Sequence, residues 1–376
     1  MSCYLDNAAT TSLLPEMKEY LTSMLDTFGN PSSSHSEGIR VKRLIEEVRE
    51  KVAKLIRADS FESVYFTSSG SASNTLGIQG YALANKCNIL YSPTTHKSIL
   101  KTIDNLGDFY NINTIELKVD QYGNVDFEYL YRVFKVVEGN ALVVIEYANS
   151  EIGTVQNIKA ISDIVHKHNG KLFVDCTGSI STIPLDVVGL DIDIATFSAH
   201  KIGALKGVGV LYKKTDITML PLVFGSQEQG LFAGTENVLG ILSLGKAIDL
   251  MDYNKASYNR DFVWSSIKNI DGISLVGSPL VENRLINNLY VCVKGVKGSD
   301  VAALMDDVYK IQISTGSACN NGSSTPSSTA LAIGLSEEDA NSCVRISFSG
   351  NETEDELNEF CKSFSTCIKM LRDLND

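Results

Sequence analysis

Lys171-Leu172-Phe173-Val174-Asp175 and, further along, Ile192-Asp193-Ile194-Ala195-Thr196-Phe197-Ser198-Ala199-His200-Lys201 are two short apolar runs that end on charged or polar groups. A short apolar run bounded by polar residues reads as a strand buried on both faces. Runs of the same form occupy 64–67, 89–92, 141–147 and 207–212. Between these six runs lie amphipathic segments such as 127–136 and 158–168, the latter closed by Gly170. Buried strands alternating with helices imply a parallel sheet joined by crossovers. The fold class expected is therefore α/β, with a mostly parallel central sheet.

The pattern changes after about residue 250. Strand-like runs at 289–293, 311–315 and 344–348 are interleaved with helices, and a long helix is expected over 354–371. Thr353 and Glu356 have the spacing of a capping box for it. Leu357, Phe360, Phe364, Ile368 and Leu371 follow at helical spacing and mark a core-facing stripe. The expected organisation is a large domain over 15–250 and a smaller α+β domain built from 1–14 and 251–376. The Ser, Asn and Gly-rich run 320–328 reads as a loop.

Composition narrows the function. The 376 residues are 44% hydrophobic and 21% charged, with a formal net charge of -12. An acidic chain is a poor partner for nucleic acid or an anionic membrane surface. No apolar run approaches the length of a membrane span. No secretion signal is visible after Met1, so the expected location is the cytoplasm. The eight cysteines, at 3, 87, 176, 292, 319, 343, 361 and 367, form no C-x-x-C pair and no zinc-like cluster. Most are expected to be small buried residues.

In open parallel sheets, ligands sit at the carboxyl ends of the strands. Run 64–67 leads into Ser68-Ser69-Gly70-Ser71-Ala72-Ser73-Asn74, small residues whose backbone N–H groups can face an anion. Asp175 ends one run, and Lys201 follows another in Ser198-Ala199-His200-Lys201. Together they match what pyridoxal phosphate (PLP) requires. A lysine must bind the aldehyde covalently, and a carboxylate must hold the pyridine nitrogen protonated. His96, just after run 89–92, is a candidate acid or base. Cys319, in Gly316-Ser317-Ala318-Cys319 beside the polar loop, is a candidate reactive thiol. Read singly, each of these residues has an ordinary structural explanation.

Taken in order, the segments resemble the cysteine desulfurase branch of the class V aminotransferases. They are Tyr4-Leu5-Asp6-Asn7-Ala8-Ala9-Thr10-Thr11, Gly29-Asn30-Pro31-Ser32-Ser33, Thr95-His96-Lys97, Val174-Asp175, Ser198-Ala199-His200-Lys201 and Gly316-Ser317-Ala318-Cys319. Ala233-Gly234-Thr235-Glu236-Asn237-Val238 and Val344-Arg345-Ile346-Ser347 add to them. The resemblance implies the fold-type-I PLP architecture and a homodimer. It makes Lys201 the cofactor lysine, Asp175 the pyridinium partner and His96 the ring-stacking acid or base. Gly70, Ser71, Ser198 and His200 would hold the phosphate, with Thr235 reaching it from the other subunit. Arg345 would grip the substrate carboxylate through a charge-assisted, bidentate contact. The implied reaction converts L-cysteine to L-alanine and leaves the sulfur on Cys319 as a persulfide. Its acceptor would be a protein, either an iron-sulfur cluster assembly scaffold or a tRNA-thiolation carrier.

The chain also departs from the family pattern. Ser150 stands where Asn is usual, Gly178 where Gln is usual, Phe232 and Gln229 where Arg is expected, and Ala72 where the phosphate-loop motif has Glu. These changes imply a slow enzyme or one dependent on a partner. Two other readings stay open at this level: a diverged PLP lyase or aminotransferase acting on another amino acid, and a catalytically weak paralogue that binds other proteins.

Overall fold

The structure, a computed structural model, describes residues 3–253, 257–279, 283–316 and 326–375. Twelve strands are present among them: β1 Cys3–Tyr4, β2 Val64–Thr67, β3 Asn88–Tyr91, β4 Thr114–Glu116, β5 Ala141–Glu146, β6 Lys171–Asp175, β7 Ile194–Ser198, β8 Gly209–Lys213, β9 Ile273–Leu275, β10 Asn288–Val293, β11 Ile311–Gln312 and β12 Cys343–Ser347. Seven form the central sheet, in the order β2-β8-β7-β6-β5-β3-β4. Every pairing in it is parallel except those of β8, which runs antiparallel to both neighbours. The reason is the connection: residues 199–208 hold only a short 3-10 turn, too little for the crossover that a parallel partner requires.

The six expected strands are all found, with shifts of one or two residues at their ends. β5 and β6 are buried throughout apart from Lys171 at the edge, which accounts for their continuous apolar character. Each face of the sheet is covered by helices. One core holds Val143, Ile145, Val174 and Phe197 against the helix Ser36–Leu55. The other holds Leu142, Val144 and Phe173 against the helix Lys97–Tyr110. Gly77 matters to the second core, since a Cβ there would lie 2.7 Å from the Phe173 ring.

After residue 270 the chain forms an antiparallel sheet in the order β12-β10-β9, and β1 pairs in parallel with β11. The expected strand at 311–315 closes after Gln312, and Ser314 makes only an isolated bridge to Arg345. Helix Glu354–Asn375 packs Leu357, Phe360, Phe364 and Ile368 into a core shared with Cys3 and Leu5. Its capping box is present: Thr353 N–H donates to Glu356 Oε2 at 2.8 Å, and Glu356 N–H donates to Thr353 Oγ1 at 3.3 Å. The N-terminal segment also crosses to β12, where Asn7 N–H donates to the Ser347 carbonyl and Ser347 N–H to that of Leu5. That crossing brings Asp6, Ala8 and Ala9 to the carboxyl edge of the central sheet.

Candidate active site

At the carboxyl edge of the parallel strands lies a cavity of about 410 Å³. Its walls include Gly70, Ser71, His96, Asp175, Ser198, His200, Lys201 and Arg345, eight of the ten residues expected to act in the site. Thr235 is exposed and does not line this cavity. Cys319 lies outside the described residues.

Asp175 ends β6 and is 3% exposed. Its two oxygens are held separately, Oδ1 by the N–H of Thr177 at 2.8 Å and Oδ2 by Asn74 Nδ2 at 2.8 Å. Asn74 also donates to Ser98 Oγ at 3.1 Å and accepts from Thr196 Oγ1 at 2.5 Å. Ser98 Oγ lies 2.8 Å from His96 Nδ1, so a chain of polar groups runs from Asp175 to His96. His96 caps the helix Lys97–Tyr110, and its Nδ1 accepts from the backbone N–H of Ser98 at 3.1 Å. A neutral ring therefore carries its proton on Nε2. The ring is open to the cavity but surrounded by protein, and burial holds its pKa below the ordinary histidine value. The Lys201 and Lys97 charges act in the same direction, against Asp175.

Lys201 sits in a 3-10 turn after β7. Its ammonium donates to the carbonyls of Ala8 and Ala9, the second at 3.0 Å. The same N-terminal segment is fixed to His200, whose carbonyl accepts from Thr11 Oγ1 at 2.8 Å. Burial, with Lys201 and Lys206 nearby, pushes the His200 imidazole down to about 4, so it is neutral near pH 7. Ser69 caps the helix that begins at Gly70. A Cβ at Gly70 would stand 3.0 Å from that of Ser198, so glycine lets the two strand ends close around a small anion.

Arg345 comes from β12, in the other sheet. Its Nη2 pairs with Asp6 at 2.8 Å, and Nη1 reaches the Ser150 carbonyl at 3.3 Å. Among the described residues, its Nε is buried with no hydrogen-bond partner, as is Thr177 Oγ1 on the same wall. These orphaned groups, the anchored carboxylate, the lysine and the small-residue anion cradle fit PLP together with an amino acid carboxylate.

Two carboxyl groups were not singled out from the sequence. Glu146 ends β5, opposite Asp175 in the register, and is buried. Its Oε1 accepts from His96 N–H at 2.7 Å and its Oε2 from Asn149 Nδ2 at 3.0 Å. Burial first, and then the nearby Asp175 charge, raise its pKa well above the usual carboxyl range. The sequence carries a signal for it, because Glu146, like Asp175, is a carboxylate closing a buried run. Extending the run to 147 placed Glu146 inside a strand. Glu151 is the second, hydrogen-bonded by Ser327 Oγ, with a pKa raised mainly by burial.

The departures from the expected pattern fall into two groups. Ser150 and Gly178 line the cavity, whereas Ala72, Gln229 and Phe232 do not line it in this chain. Phe232 packs against the core around Phe173, and Gln229 Nε2 donates to the Glu62 carbonyl at 3.1 Å.

The chain is also similar to known proteins. The sequence is 33% identical over 385 residues to "Cysteine desulfurase IscS 1" of Archaeoglobus fulgidus, covering 99% of this chain and 98% of that protein. It is 35% identical over 387 residues to "Cysteine desulfurase IscS" of Dictyoglomus turgidum, covering 99% and 96%. Among solved structures, a NifS-like protein superposes with a TM-score of 0.89 at 30% identity, covering 99% of this chain and 100% of that one. SspA in complex with cysteine superposes at 0.81 with 28% identity, covering 94% and 100%. The sequence model for Aminotransferase class-V matches residues 3–360. The chain belongs to the class-V aminotransferase family.

Proposed function

We propose that this protein is a PLP-dependent cysteine desulfurase that converts L-cysteine to L-alanine and passes the sulfur to Cys319 as a persulfide. The observation that carries the reading is the convergence of Asp175, His96, Lys201 and Arg345 on one cavity. The relatives named above supply the substrate. When bound, PLP supplies an electron sink for the carbon skeleton of the amino acid.

Lys201 would hold the cofactor aldehyde, and Asp175, fixed through both oxygens, would face its ring nitrogen. Gly70, Ser71, Ser198 and His200 would receive the phosphate. Arg345 would take the substrate carboxylate, with its unpartnered Nε and the group now paired to Asp6. The Lys201 amine, released when substrate enters, would move the Cα proton. His96 would stack on the ring as an acid or base, its depressed pKa favouring the neutral imidazole with the Nε2–H as donor. Cys319 would accept the sulfur and carry it to an acceptor protein. The active unit in this reading is a homodimer in which Thr235 reaches the partner's phosphate site. A body over 15–250 carries the lysine, and a second one, 1–14 with 251–376, carries Arg345 and Cys319. Ser150 and Gly178, in the cavity wall, would make it a slow catalyst or one that needs a partner to reach useful rates.

The test combines two measurements. Borohydride reduction should abolish the visible absorbance of the purified protein and leave a pyridoxyl mass on the Lys201 peptide. Cys319→Ala should bind cysteine yet release no sulfide in a single turnover. A label on another lysine, or unchanged alanine formation by Cys319→Ala, would refute the assignment.

A further inference from the structure

β10 and β12 lie antiparallel, with Asn288 opposite Ser347, Tyr290 opposite Arg345 and Cys292 opposite Cys343. Val293 N–H donates to the Ser342 carbonyl at 2.9 Å, and Phe348 N–H to that of Asn287 at 3.0 Å. Hydrogen-bonded and non-bonded rungs alternate along such a ladder, so the Cys292–Cys343 rung is non-bonded. On such rungs the Cα atoms approach to about 4.5 Å and the side chains crowd together. A disulfide spans Cα atoms about 4.4–6.8 Å apart. Among the described residues, no other two cysteines face each other across a ladder.

The sulfurs converge as well. Cys292 Sγ lies 3.5 Å from the Asp339 carbonyl oxygen, and Cys343 Sγ lies 3.2 Å from the same atom. Both residues are buried beneath the five-residue helix Glu337–Asn341. The thiols are also unequal. Contact with Cys343 and the Lys294 charge hold Cys292 below the ordinary thiol pKa against burial and Asp339, while contact with Cys292 and burial push Cys343 up. On the next rung of the same face stand Tyr290 and Arg345. Among the described residues, the buried Tyr290 hydroxyl makes no hydrogen bond of normal geometry, though it lies within electrostatic reach of Glu151 and Cys343.

We propose that Cys292 and Cys343 form a redox modification site, a cross-strand dithiol that a hydroperoxide closes to a disulfide beside the Arg345 rung. The Cys292 thiolate attacks the peroxide oxygen, the O–O bond breaks, and the leaving oxygen departs with a proton as alcohol or water. Cys292 is then a sulfenic acid. The Cys343 sulfur displaces its hydroxyl, the S–S bond forms, and the hydroxyl leaves with the Cys343 proton as water. Two thiols are oxidised by two electrons, and one hydroperoxide is reduced. The site requires only this strand pair, so it stands apart from the catalytic role given to Cys319.

The experiment treats the intact holoenzyme with tert-butyl hydroperoxide, alkylates the remaining thiols and maps unreduced peptides by mass spectrometry. The expected product is a Cys292–Cys343 peptide pair two hydrogens lighter than its parts, which dithiothreitol separates. Cys343→Ser should trap a sulfenic acid on the remaining Cys292, visible as a dimedone adduct. Recovery of both residues as free thiols after Cys319 is fully oxidised would overturn the proposal. Mapping of the unsubstituted protein decides the question even where a serine variant folds poorly.

Discussion

Asn74 shows how one side chain can order a site it does not itself fill. Its amide nitrogen serves Asp175 and Ser98 together, while its oxygen is fixed by Thr196. Asn74→Ala would leave a buried Asp175 oxygen with one donor fewer, a loss of about 1–3 kcal/mol. We expect kcat to fall roughly tenfold to a hundredfold, if that loss is felt where the ring nitrogen must stay protonated. A lower cofactor affinity by equilibrium dialysis should accompany it. Unchanged cofactor affinity and kcat would show that Thr177 alone suffices to hold Asp175. Glu146 provides a second test, in pH. The unfolded chain ionises this carboxyl near about 4.3, while the folded protein keeps the proton to higher pH. Over that interval the folded state binds more protons, so rising pH weakens it. Glu146→Gln has no such group. Its stability relative to the parent should therefore increase between pH 5 and pH 8 in urea titrations, and parallel curves would exclude a neutral Glu146.

At the scale of elements, the turn after β6 changes what the family resemblance suggests. Placing Gln at 178 looks like a repair, but a Cβ there would lie 2.5 Å from the Ala148 carbonyl oxygen. That atom is backbone in the loop after β5, so the loop would have to move. We expect Gly178→Gln to lose about 1–3 kcal/mol in denaturant titrations and to gain no turnover. A stable variant that turns over faster would mean the loop yields readily. Much of this level was legible beforehand. The runs ending in Asp175 and Lys201, the capping box at Thr353 and the stripe from Leu357 to Ile368 all depend on local pattern and chemistry. The antiparallel setting of β8 was less visible, because it follows from the length of a connection rather than from any residue in the strand. The three-residue strands β4 and β9 are too short to show a period. Asn74 and the role of Asp6 beside Arg345 were hidden for a different reason: their partners are distant in sequence, and only the folded chain brings them together.

On the scale of the whole molecule, the groups lining the cavity gather at the carboxyl edge of the sheet, while a charge cluster secures the opposite edge. Asp193, just before β7, is fully buried. It accepts from the N–H of Leu172 at 2.9 Å and faces His166 Nε2 at 2.6 Å, Lys171 at 3.1 Å and Lys214 at 3.1 Å. Burial alone would raise its pKa, but His166, the Leu172 N–H and Lys214 together bring it down to about 2. An unfolded aspartate titrates near about 3.9, so the folded state binds fewer protons in between. The stabilisation is full above that upper value and is lost as pH falls through the lower one. Its size is about 2–3 kcal/mol. Asp193→Asn removes the charge and leaves three cationic or protonatable groups around a neutral amide. At pH 7 it should cost about 2–3 kcal/mol, measured as a lower urea midpoint at unchanged slope. Between pH 4 and pH 2 the parent should lose stability more steeply than Asp193→Asn, and the two curves should converge in acid. If the gap instead stays constant down to pH 2, the carboxylate is not what joins β6 to β7 at this edge. The loss would then belong to packing around residue 193.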